Sequence, residues 1–203
     1  MSEESFDCGW FVTQRIAQLL GKDPGNLSSV SRALLAQLRQ AENKEPGTVP
    51  GVWAITAEGI PDDLPRSTLE RAEQAIHIAL TQFAVHQQSR SSSMHTPNRS
   101  FGRAVRALAQ ISNADEPYES PVYRRFTAMS TATSLAGLLA HSRGIITQLR
   151  SAEIGFDYGG YAKDLYHFQI PAYAGAVRRR WGREFHRLPA ITETMTDNEN
   201  QGA

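Results

Sequence analysis

Apolar residues recur at three- and four-residue intervals along nearly the whole chain, and strand-like alternation is scarce. That spacing turns one face of each successive segment inward as a helix and leaves little material for a sheet. Residues 10–20 gather Phe11, Ile16, Leu19 and Leu20 on one face, and Gly21 supplies a stop. Residues 28–42 repeat the pattern with Val30, Leu34, Leu38 and Ala41, and Ser28 or Ser29 can cap their start. Residues 43–66 hold four prolines and three glycines and read as a loop with at most a short turn near Val52–Ile55. Ser67-Thr-Leu-Glu70 fits a capping box. It opens a long helix to about Gln87 with Leu69, Ala72, Ile76, Leu80 and Phe83 inward.

The second half continues in the same way. Ser100 can cap a helix over 101–111, and Ser120-Pro121 pairs a cap with proline at the first helical position for 121–130. Ser134 can cap 135–151, Asp157 can cap 158–168, and Pro171 breaks the chain before 172–188. The fold class is all-α, as two small helical domains, the C-terminal one a four-helix-type bundle. Residues 1–90 form the first domain and the polar, Ser-rich stretch 91–100 the linker. Residues 101–188 form the second, and 189–203 an acidic tail with nothing to bury, read as disordered.

At 203 residues and 40% hydrophobic content the chain can fill a core. No run approaches the ~18 apolar residues of a membrane helix. The acidic start MSEESFDCGW lacks the pattern of a secretory signal. The lone Cys8 can form neither an internal disulfide nor a cysteine-rich zinc site. These features point to a cytoplasmic protein without membrane partners.

The formal charge of zero conceals a segregation. Residues 1–89 carry 7 basic and 11 acidic side chains, 90–190 carry 14 and 7, and the tail adds three acids. Of the 21 basic residues, 18 are arginine, whose planar fork binds phosphate bidentately where an ammonium cannot. In 172–188, Val177, Trp181 and Phe185 form a buried stripe. Arg180, Arg183 and Arg187 fall on the roughly opposite face, with Arg179 at its edge and Arg178 nearer the core. Arg103 and Arg106, Arg124 and Arg125, and Arg143 and Arg150 add pairs on other helices, and Glu184 is the only acid in the last one. Such rows can track a phosphate backbone. Meeting acidic protein surfaces is the alternative. Tyr118, Tyr123, Tyr158, Tyr161 and Tyr166 could stack on bases but are expected mostly in the core.

Catalytic motifs are missing: there is no HExxH, P-loop, GxSxG or CxxC. The glycine-rich GFDYGGY follows no strand and reads as a helix start. Six histidines include no i, i+4 pair, and Asp62-Asp63 lacks the further acids of a cation site. Asp164 and His167, at i, i+3, could serve a nuclease but fit a surface hydrogen bond better. The chain is read as non-enzymatic, with no cofactor and no metal.

Four segments taken in order carry a resemblance. They are SRALLAQLRQA at 31–41, SFGRAVRAL at 100–108, the stretch from Tyr123 to Phe168, and VRRRWGREFHR at 177–187. Together they resemble the small subunit, the CasB family, of the type I-E CRISPR surveillance complex, Cascade. The likeness implies two small α-helical domains and no catalysis. It implies partners too: the large subunit, the backbone subunits, a second copy of the chain, the crRNA and the target DNA. The basic surfaces would hold the R-loop, while base pairing reads sequence. Arg32, Arg103, Arg124, Arg125, Arg143, Arg178, Arg179, Arg180 and Arg183 match basic positions of the family pattern. Loop 43–66 and the acidic tail lie outside that pattern, and the scarcity of lysine departs from it.

Overall fold

The computed structural model describes residues 6–187, and the acidic tail lies outside them. Nine α-helices make up the described chain: α1 (Cys8–Leu20), α2 (Ser29–Ala41), the single turn α3 (Trp53–Thr56), α4 (Arg66–His86), α5 (Phe101–Ser112), α6 (Pro121–Thr131), α7 (Leu135–Ser151), α8 (Tyr158–Phe168) and α9 (Pro171–His186). The all-α expectation is met, and the only β-type pairing among these residues is an isolated bridge between His95 and Phe156.

The caps form where the side-chain chemistry allows. Ser28, Ser100, Ser120, Ser134 and Asp157 each accept a backbone N–H in the first turn of their helix. Asp7 does the same for α1, accepting from Gly9 and Trp10 at 2.9 Å. Each satisfies a donor that has no partner within its own helix.

The capping box at Ser67 does not form. Pro65 turns the chain two residues earlier, and its carbonyl accepts from the Leu69 N–H at 3.0 Å. Ser67 therefore lies inside the helix and accepts from Arg71, while Glu70 pairs with Arg66 at 2.8 Å. On α2 the inward face includes Leu35, and Val30 in the first turn remains 66% exposed.

The second half of α4 is the centre of the molecule. From Ala75 to His86 every residue is buried, including the polar His77, Thr81, Gln82 and His86. A helix buried all round must be enclosed by others, and α1, α2, α7 and α8 surround it. One apolar cluster consequently runs through both halves of the chain. α1 and α8 cross where Gly9 meets Gly159. A Cβ on Gly159 would stand 2.8 Å from the Gly9 carbonyl oxygen, so neither position has room for a side chain.

The stretch read as a linker is pinned rather than free. Met94 is buried, its carbonyl accepts from the Phe156 N–H at 3.1 Å, and Thr96 returns a bond to the Phe156 carbonyl at 3.0 Å. Loop 43–66 contributes a 3₁₀ turn at Pro50–Val52 and α3, and seats Val52, Ile55 and Ile60 in the core.

Buried polar groups on α4 are matched to partners on α7 and α8. Gln82 donates to Ser142 at 2.8 Å and accepts from the Tyr161 hydroxyl at 3.0 Å, and His86 Nδ1 lies 3.0 Å from the Tyr158 hydroxyl. Burial pushes His86 down to about 3 and lowers His77 and His95 as well. The unfolded chain protonates these imidazoles near the ordinary 6.5, whereas the folded chain resists protonating them and keeps His86 neutral. Stability from them is thus complete above that value and declines as pH falls, by about 1.4 kcal/mol per pH unit for His86. Thermal melts should show Tm highest near neutrality and several degrees lower at pH 5, with a shallower slope in His86→Gln. A flat profile between pH 7 and 5 would contradict this.

Candidate nucleic-acid interface

α9 is built on the stripe expected for it. Val177, Trp181 and Phe185 are buried, and Trp181 and Phe185 meet Phe101, Phe126 and Tyr161 in an aromatic layer. Opposite that stripe, Arg179 and Arg183 are exposed, and Arg187 follows at the next four-residue step, also exposed. Arg180 lies instead about 100° from the stripe, on the side facing α8. There it pairs with the buried carboxylate of Asp164, which also accepts from the Trp181 indole N–H. Arg178 donates to the Ala132 carbonyl and lies over the Phe168 ring, 5.2 Å from its centroid. Two of the four arginines of this helix are therefore engaged inside the fold, and the other two face solvent with Arg187 just past its end.

The arginines of neighbouring helices divide in the same way. Gly102 lets α5 approach α9 closely, since a Cβ there would stand 2.7 Å from the Trp181 carbonyl oxygen. The next residue, Arg103, is exposed. One turn on, Arg106 is buried, donating to the Tyr118 hydroxyl at 2.9 Å and the Phe185 carbonyl at 3.3 Å. Its guanidinium also stacks over both rings.

Arg124 and Arg125 on α6 are exposed, and Arg125 lies across Gly144 of α7. Arg143 pairs with Glu42 at 3.2 Å, and Arg150 donates to Gln88 at 2.7 Å. Arg32 is exposed and donates to the Leu27 carbonyl at 2.8 Å. Among the described residues, Arg103, Arg124, Arg125, Arg179, Arg183 and Arg187 have no carboxylate within ion-pair distance. α5, α6 and α9, which carry five of them with Arg187 at the C-cap of α9, pack against one another.

Asp164 is held by Arg180 and the Trp181 indole N–H. His167 packs edge-on between Tyr166 and Tyr173. Cys8 is buried, and desolvation with the nearby Asp7 charge pushes its thiol up to about 12, so the reactive thiolate is scarce at neutral pH. Among the described residues no cluster of three or more His, Cys, Asp or Glu could hold a metal ion. No described helix is long and apolar enough to cross a membrane. Of the tyrosines, Tyr158 and Tyr161 are core residues. Tyr118 is 43% exposed and stacks on His186 at 5.2 Å between ring centroids, a pairing with no local sequence signal.

The family model of the CRISPR-associated protein Cse2 matches residues 34–186. The chain belongs to the Cse2 family. The resemblance drawn from its ordered motifs is thereby confirmed. CasB from Thermobifida fusca is similar at 34% identity and a TM-score of 0.71, over 91% of this chain and 100% of that one. A Cse2-family protein from Thermus thermophilus shares the fold at 21% identity and a TM-score of 0.66, over 89% and 99% of the two chains. M. ruber CasB does so at 18% identity and a TM-score of 0.62, over 87% and 93%. No curated protein sequence matches.

In this Cse2 protein the two classes of arginine should separate by stability. Arg106→Ala removes a buried, hydrogen-bonded cation from the α5–α9 contact and should cost about 2–4 kcal/mol. Asp164→Asn, which leaves Arg180 without its counter-charge, should fall in the same range. Arg103→Ala and Arg183→Ala should stay within about 0.5 kcal/mol of the parent. Urea denaturation of the four variants measures this, and equal costs for all four would contradict the division.

Proposed function

We propose that this Cse2-family chain is a non-catalytic scaffold subunit of an RNA-guided DNA surveillance complex. It works in antiviral defence beside the large subunit, the backbone subunits and a second copy of itself. Its exposed arginines on α5, α6 and α9 hold phosphates of the crRNA–target hybrid and of the displaced strand, stabilising the R-loop. The observation that carries this reading is the set of six exposed arginines without carboxylate partners among the described residues. An uncompensated guanidinium at a surface is weakly hydrated, and neutralising a phosphate with it releases counterions condensed on the nucleic acid. Arg106 and Arg180 supply no such surface, because their guanidinium groups already bond within the fold. Family membership supplies the setting, in which base pairing reads the sequence and protein supplies backbone contacts.

Fluorescence anisotropy with single-stranded DNA, RNA and duplex across a salt series tests the reading. Wild type should bind with log K falling against log salt at a slope near about −4 if all six arginines engage a single strand, about −0.7 per phosphate. Changing Arg179, Arg183 and Arg187 together to Ala should flatten the slope by about 2. Loss of binding without a change in slope would contradict it. Binding to acidic protein partners alone would favour a protein-interaction module instead.

A further inference from the structure

A second basic site lies away from α9. A cleft of about 360 Å³ opens between α2 and the turn that follows α4. Arg32 and Arg39 line one wall; seven residues apart on α2, they share a face about 10 Å apart along the axis. Gln88, Ser89 and Arg90 line the other.

That second wall is rigidly built. Gln87 donates to the carbonyls of Arg90 and Ser92 at 3.2 and 2.9 Å and accepts from the Met94 N–H at 2.9 Å. Ser89 is held at φ 59°, a left-handed conformation that a non-glycine residue adopts only when its surroundings impose it.

Arg32, Arg39 and Arg90 line the cleft, and among the described residues no acidic one does. Arg150 reaches its edge, donating to Gln88 at 2.7 Å. Among the described residues neither Arg32, Arg39 nor Arg150 has a carboxylate within ion-pair distance. Glu153 pairs with Arg90 through Nη1, and Asp23, in the loop beside the cleft, accepts the Gly25 N–H at 2.9 Å. The Nε–H of Arg90 is buried with no acceptor. Burial, and then the neighbouring charge of Arg150, hold the Arg39 guanidinium below its ordinary range. Like charges gathered in a concave wall call for an anion with several acceptor oxygens. A tetrahedral phosphate meets arginine forks with charge-assisted hydrogen bonds.

We infer that the cleft between α2 and the Gln87–Arg90 turn is a phosphate-binding site that seats one phosphodiester of a bound strand through Arg39 and Arg90. The nucleic-acid source of that phosphate rests on the function proposed above; the pocket itself does not.

The test is NMR of the arginine Nε–Hε resonances of the full chain at constant ionic strength. It is titrated separately with inorganic phosphate and with a ten-nucleotide single-stranded DNA. The Arg39 and Arg90 signals should shift together and saturate with the oligonucleotide, and Arg39→Gln should weaken that response about tenfold. The variant with Arg179, Arg183 and Arg187 changed to Ala should bind DNA less tightly overall yet keep the Arg39 and Arg90 shifts. Saturation with inorganic phosphate but not with DNA would keep the pocket and overturn its nucleic-acid source. No shift with either, or an Arg39→Gln protein that responds like wild type, would overturn the site.

Discussion

The amide of Gln82 ties three helices together. It sits on the fully buried stretch of α4, donates to Ser142 of α7 and accepts from Tyr161 of α8. The Gln82 main-chain carbonyl receives the Tyr158 hydroxyl as well, at 3.4 Å. A buried amide left without partners would cost about 1–3 kcal/mol, so the three helices must meet in one relative placement. α8 in turn sets α9, because Asp164 on one helix receives Arg180 and Trp181 from the other. The orientation of the exposed arginine row is thus a consequence of polar chemistry deep in the core.

The same logic explains why neighbouring arginines behave so differently. Arg179 and Arg180 are adjacent in sequence, yet one faces water and the other a buried carboxylate. Burying a guanidinium carries a large desolvation penalty unless it is paired and hydrogen-bonded. Arg106 meets that demand with a hydroxyl, a carbonyl and two ring faces, and Arg178 with a carbonyl and a ring. The cations left outside have no such compensation, which makes them available to a polyanion. The partition gives the Cse2 chain a structural set and a free set of arginines drawn from one composition.

Much of the fold was legible from local pattern. Five caps at Ser28, Ser100, Ser120, Ser134 and Asp157 depend on short-range chemistry, and so does the Val177–Trp181–Phe185 stripe. Most of what local pattern leaves out has a long-range cause. Arg180 finds Asp164 on a different helix, 16 residues away, a pairing that helical periodicity does not signal. Arg106 finds Phe185 79 residues away, a contact no periodicity can signal. Ser67 lost its capping role to Pro65, whose backbone geometry overrode a good side-chain match. The cleft at Arg39 and Arg90 was likewise invisible, since its walls come from segments about 50 residues apart that only packing brings together.

The most direct measurement is the lifetime of the R-loop formed by the reconstituted complex. It would compare wild-type subunit with a variant carrying Arg179→Ala, Arg183→Ala and Arg187→Ala, once equal incorporation of both proteins is verified. If these side chains hold phosphates, the R-loop should dissociate faster with the variant, and the difference should shrink as salt is raised. A lifetime unchanged at every salt concentration would show that the exposed arginines do not hold the nucleic acid.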